Sequence, residues 1–439
     1  MIKKVNTIIS PTWIYTADKN NTVLEDYSIV VEEDEILDIH PTKNVFDTYD
    51  ANDVFVLSDH IITPGFINNH THTAMSLFKG YANDLPLKSW LEDHIWPAEK
   101  KHVCEAFVKD GSLIAIAEMI KSGTTTFNDM YFYPSQTAEA AVEMGIRANI
   151  GLVVMDFPTN YASDPEDYLK KGFEFRDDWR NEELISTSIA PHAPYTTSDK
   201  TLSLISTYAE QLDLLIHTHL HETEDEVKNS IDQFKLTPIQ RYNNLGLLGP
   251  NLVAAHCVHV DDQDLILLQQ NNVNVVHNPS SNLILGSGIA DIPKMLDLGI
   301  NVTVGTDSSA SNNRLDILEE LRMAALLGKG LSKKPDIFDA KTALKMATYN
   351  AARSLNKSKI FGSIEVNKKA DIVAINMDSI FSQPVYNPLS TLLYNANQGG
   401  VDYVWINGTL KLKAGQLQNI DLDRLKNIAN SWKTKIKTT

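Results

Sequence analysis

Cysteine is nearly absent: Cys104 and Cys257 are the only two in 439 residues, too few for a disulfide scaffold or a four-thiolate zinc site. A reducing compartment suits such a chain. No apolar run approaches bilayer-spanning length, and the opening MIKKVNTIISPTWIYTAD has two lysines but no sustained apolar core with a small-residue cleavage site, so a cytoplasmic location is expected. Positive charge is short as well. Acidic residues number 56 against 39 basic ones, a formal net charge of -17, which argues against the basic footprint that nucleic acid or an anionic membrane requires. The one locally basic stretch, RLKNIANSWKTKIKTT, reads as the solvated face of a last helix. Internal repeats and low-complexity segments are missing too.

What remains is a globular composition, 43% hydrophobic and 22% charged, long enough for one large α/β domain with an accessory domain. Both flanks are rich in strand-like pieces. VNTIIS, WIYTAD, YSIVVEEDEILDIHP and DVFVLSDHIITPG open the chain, and ADIVAINMDS with YVWINGTLKLKAGQ closes it around the Gly408 and Gly415 turns. Between them, ITPGFINNH, GTTTFNDM, IRANIGLVVM, ISTSIAPH, LLIHTHLH, LVAAHCV, VNVVHNP and NVTVGTD alternate with helical patterns. Eight strands in a βαβα rhythm predict a (β/α)8 barrel. A doubly wound open sheet is the alternative, but no Gly-rich fingerprint opens a βαβ unit, and Gly123 in IKSG reads as a helix stop. The polar stretch from Thr159 to Glu183 reads as a surface excursion containing some helix.

Metal-capable residues recur at the C-terminal ends of these strands: His70 and His72 on the first, His192 on the fourth, His217, His219 and His221 on the fifth, His256 on the sixth, His277 on the seventh and Asp307 on the eighth. In a barrel those ends share one mouth. Singly, each has a plain structural role open to it; a lone histidine makes a hydrogen bond, and Asp307 could cap the helix that follows. Three ligands in a row on HTHLH would crowd one ion, so at least one of those histidines is structural. Three imidazoles and one carboxylate suit a zinc-like ion with an open position for water. Glu222, three residues past His219, could take a proton from that water and return it to the leaving side of a substrate.

Together these residues resemble the amidohydrolase superfamily, and within it the 5′-methylthioadenosine/S-adenosylhomocysteine deaminases and the related triazine hydrolases. The resemblance rests on PGFINNHTHTAMSLFKGYANDLPLKSWLEDHIWPAEK, SGTTTFNDMY, APHAPYT, HTHLHETEDE, AAHCVH, HNPSSNLILGSGIA and GTDSSASNN, and continues through TYNAARSL and KKADIVAI. It implies a distorted barrel over residues 63–362, a small β-sandwich from residues 1–62 and 363–439, and one divalent metal per chain, usually zinc. By motif, His70, His72, His219 and Asp307 are the implied metal ligands, and Glu222 and His256 handle protons. Asp307 also orients the water, and Glu99 and His192 bind a nucleoside, Glu99 through its ribose hydroxyls. The implied reaction is hydrolytic deamination of an adenine nucleoside; the expected partners are that small molecule, water and further copies of the chain.

S-adenosylhomocysteine carries a carboxylate, for which a bidentate arginine is the natural partner. A related sequence has such an arginine just after the position of Arg147; here Leu152 and Val153 occupy that region. The expected substrate is therefore 5′-methylthioadenosine, with adenosine or S-adenosylhomocysteine as further substrates. The rivals are an s-triazine hydrolase or guanine-type base deaminase, which would not need Glu99, and a non-catalytic metal-binding scaffold, which would not need all six competent side chains. A dinuclear hydrolase would want a lysine where His192 stands. The roles of His217, His221, His259 and His277 are not fixed at this level.

Overall fold

The computed structural model describes residues 2–395 and 398–438. Two sheets organise it. The first runs β1 (Lys3–Tyr15), β2 (Val23–Glu25), β3 (Tyr27–Glu32), β4 (Glu35–Pro41) and β5 (Tyr49–Pro64), then resumes near the other end with β14 (Ile372–Asn376), β15 (Val401–Ile406), β16 (Thr409–Lys413) and β17 (Gln416–Leu417). These nine strands pair in the order β17-β16-β15-β14-β5-β1-β3-β4, with β2 alongside β1. Both chain ends thus share one sheet, joined where β14 runs antiparallel to β5 through Ile372–Pro64 and Ala374–Ile62. A register shift after Pro11 lets Ile9 and Ile14, five residues apart, enter the same core with Ile29, Ile62, Ile372 and Trp405.

The second sheet is the eight-stranded barrel: β6 (Phe66–Thr71), β7 (Thr124–Tyr131), β8 (Arg147–Val154), β9 (Ile185–Pro191), β10 (Leu215–Leu220), β11 (Leu252–His256), β12 (Asn274–His277) and β13 (Asn301–Val304). Each strand is parallel to the next in sequence order. Every predicted strand is present, with one boundary moved. Ile62–Pro64, expected to open the first barrel strand, belongs to β5 of the other sheet, and the chain changes sheets at Gly65. A Cβ there would lie 2.0 Å from Thr125 Oγ1 on β7, so only glycine permits the two strands to approach. The seam between β13 and β6 is irregular. It is closed by Asp307 N donating to His70 O at 2.9 Å and by Asn69 Nδ2 donating to Thr303 Oγ1, also at 2.9 Å.

Helices follow the strands on the outside, and many begin behind a side chain that accepts a first-turn N–H, among them Asp164, Ser198, Thr223, Asp261 and Asp316. Glu105–Lys121 ends where expected, with Gly123 at φ +88°. The last helix, Leu422–Lys437, turns Leu425 and Trp432 inward, and Trp432 Nε1 donates to Asp110 Oδ2 at 2.7 Å on the first barrel helix. Among the described residues no helix is long and apolar enough to cross a membrane.

Candidate active site

At the C-terminal mouth of the barrel, one ligand atom from each of His70, His72, His219 and Asp307 lies within 4.8 Å of the others. His70 stands on β6 and His72 just beyond it, His219 on β10, and Asp307 three residues past β13 with its backbone at φ +59°. Asp307 Oδ1 is 3.1 Å from His72 Nε2 and 3.4 Å from His70 Nε2, and His219 Nε2 is 3.2 Å from His72 Nε2.

The other face of each imidazole is engaged. His72 Nδ1 donates to Met130 O at 2.5 Å, His219 Nδ1 to His192 O at 2.7 Å, and His70 Nδ1 to His217 Nε2 at 2.9 Å. These bonds set the tautomers so that all three Nε2 lone pairs converge. The buried His70 Nε2 has no hydrogen-bond partner, and the donors are the nitrogen and oxygen set of a zinc-type centre. The residues present therefore fit a divalent metal. Burial pushes His70 down to about 4 and His219 well below the usual imidazole range, so both are neutral ligands at pH 7. Burial alone would raise Asp307, but the facing His70 and His72 outweigh it and hold the carboxyl well below its usual range. Its Oδ2 accepts from Ser281 Oγ at 2.6 Å and Ser311 Oγ at 3.2 Å.

Glu222 and His256 sit beside this group. Glu222 Oε2 is 3.7 Å from His256 Nε2, and burial raises the Glu222 carboxyl above its ordinary value. Both buried backbone N–H groups at the turn, His221 and Glu222, donate to the Glu226 carboxylate at 2.8 and 2.9 Å. His256, at φ +75°, faces Asn282 Oδ1 through Nδ1 at 2.8 Å and keeps Nε2 without a partner.

His72, His219, Asp307, Glu222, His192 and Glu99 all line one cavity of about 420 Å³. His192 follows β9, its ring 4.7 Å from that of His219, and burial lowers it to about 3. Glu99 comes from the helix Trp96–His102 in the long connection between β6 and β7. Burial pushes its carboxyl up to about 7, against a hydrogen bond from Tyr131.

Of the four histidines left open by sequence, His217 supports His70. His221 donates from Nδ1 to His259 O at 2.7 Å and accepts the Ile239 N–H at Nε2. His259 approaches Ser287 O at 2.6 Å, and His277 is buried with neither ring nitrogen bonded. Three features of the cavity were not read from the sequence. Leu87, Trp90, Leu91, Ile95 and Trp96 form an apolar wall, Thr159–Tyr161 of the supposed surface excursion reach the cavity, and Tyr131 bonds Glu99. The apolar run LPLKSWLEDHIW was the available signal for the wall. Of the pair expected to mark the substrate end, only Val153 lines the cavity; Leu152 alternates outward under Gly172.

A family model described as Amidohydrolase family matches residues 61–411. The chain belongs to the amidohydrolase family. Two amidohydrolase relatives named 5-methylthioadenosine/S-adenosylhomocysteine deaminase are each 42% identical. The one from Saccharophagus degradans aligns with 98% of this chain and 96% of its own length, and the one from Thermodesulfovibrio yellowstonii with 98% and 99%. A crystal structure described as an adenosine deaminase from Xanthomonas campestris with bound zinc superposes with a TM-score of 0.98 at 37% identity, covering 100% of both chains. An atrazine chlorohydrolase from Arthrobacter aurescens shares the amidohydrolase fold at 22% identity, with a TM-score of 0.90 over 97% of this chain and 99% of its own.

Proposed function

We propose that this amidohydrolase is a zinc-dependent deaminase of adenine nucleosides, acting best on 5′-methylthioadenosine. The observation that carries the reading is the shared cavity: His72, His219, Asp307, Glu222 and Glu99 line one space large enough for a nucleoside, with His70 buried beside the first three and His256 buried beside Glu222. The names of the relatives agree with it.

Bound to its four ligands, the ion brings the acidity of water toward neutrality. Glu222, poised by burial to carry a proton, takes one from the attacking water and delivers it to the purine ring nitrogen beside the amino-bearing carbon. His256 Nε2 and Asp307 orient that water, and the proton left on the added oxygen passes through them to the amino group. Ammonia leaves and an inosine analogue remains. His192 stands where it can contact the base, and Glu99 holds the ribose.

The 5′ preference follows from the wall. Leu87, Leu91, Ile95, Val153 and Phe157 suit a methylthio group; no arginine lines the cavity among the described residues, and its one cationic side chain is the exposed Lys100. Ammonia release measured across 5′-methylthioadenosine, S-adenosylhomocysteine, adenosine, guanine and a chlorotriazine, with and without chelator, tests the proposal. The expected order is 5′-methylthioadenosine first, with activity lost to chelator. A higher kcat/KM for S-adenosylhomocysteine would overturn the preference, and turnover of guanine or the triazine alone would overturn the nucleoside reading.

A further inference from the structure

Tyr131 is the last residue of β7, 5% exposed, and its hydroxyl donates to Glu99 Oε1 at 2.7 Å. Both residues line the cavity. A phenol has one proton and also accepts; here burial, with Glu99 alongside, holds Tyr131 well above its usual value, so the proton stays and goes to Glu99. With Glu99 as the carboxylate, two acceptors are then left on this pair, the second Glu99 oxygen and the Tyr131 oxygen. No lysine or arginine forms an ion pair with Glu99 among the described residues. A ligand that meets both positions must bring two donors on neighbouring atoms.

We propose that Tyr131 and Glu99 together read a vicinal diol, one hydroxyl donating to the free Glu99 oxygen and its neighbour to the Tyr131 oxygen, which makes Tyr131 a specificity-determining residue. This rests on the nucleoside reading above and adds to it. Glu99 alone would recognise any hydroxyl; the pair requires both, so ribonucleosides are selected over 2′-deoxy and 3′-deoxy analogues.

The test compares adenosine, 2′-deoxyadenosine and 3′-deoxyadenosine on the metal-loaded wild type and on Tyr131→Phe. The wild type is expected to disfavour each deoxy analogue by about 10-fold or more in kcat/KM, the scale of one lost hydrogen bond in a site built to receive it. Tyr131→Phe should lose about 10-fold on adenosine, mostly in KM, and its discrimination against one of the two analogues should collapse toward unity while the other persists. Metal content and melting temperature establish that the variant is folded. A folded variant that keeps both wild-type ratios overturns the inference and leaves the nucleoside reading standing. If Tyr131→Phe does not fold, the wild type decides alone, because equal turnover of adenosine and either deoxy analogue overturns the inference. No ammonia from any adenine nucleoside removes the nucleoside reading and this inference with it.

Discussion

The two ends of the cavity are built differently. At the metal end every donor comes from the last residues of a barrel strand or from within three residues past its end, each is buried, and each is held by a second bond, as His72 is to Met130, His219 to His192 and Asp307 to Ser281. At the far end the wall comes from the connection between β6 and β7. There the helix widens to a π turn over Trp90–Ile95 before Trp96–His102, and the exposed Lys100 lies on that second helix beside Glu99. Barrel strands fix positions tightly because their neighbours are hydrogen-bonded on both sides; a connection is free to vary while the chemistry stays in place. On the proposed reading, the reaction belongs to one end and the choice of substrate to the other.

That division can be broken most severely at Asp307. Asp307→Ala removes a ligand together with the carboxylate that Ser281 and Ser311 approach; activity should fall by more than about 1,000-fold together with bound metal, read by elemental analysis of the dialysed protein. Glu222→Gln separates chemistry from metal binding at the same end. It should retain metal and lower kcat by about 100- to 10,000-fold with little change in KM, and a comparable loss of metal would contradict the assigned role. At the far end Lys100→Ala should alter kcat/KM for 5′-methylthioadenosine by less than about 3-fold, since an exposed ammonium contributes little to binding an uncharged group. A larger loss would show that this end reads charge.

The same division governs what could be read in the sequence. The barrel was legible because β-branched runs of four to eight residues recur between helical patterns, and the ligands because histidines and Asp307 fall at the ends of those runs. Ile62–Pro64 was counted in both the opening flank and the first barrel strand because an apolar run carries no mark where its hydrogen-bonding partner changes. The wall at Leu87–Trp96 escaped because a π turn shifts the phase of a helix, and neither a 3.6-residue nor a 2-residue period describes it. Tyr131 escaped for another reason. It stands in the motif SGTTTFNDMY, but its partner Glu99 lies 32 residues earlier, and only the fold brings the phenol to the carboxylate. Likewise nothing in the sequence around Asn282 announces its contact with His256.

Gly65 joins the two sheets, and its N–H donates to Asp371 O at 2.9 Å. The strand that carries His70 begins at the next residue, so its anchorage is completed only by a segment more than three hundred residues downstream. During synthesis the first ligand emerges early, yet the bond that secures its strand cannot form until residue 371 has left the ribosome. Contacts of such sequence separation are slow to form. A product truncated before β14 would therefore carry all four ligands without the strand of the other sheet that anchors the first of them.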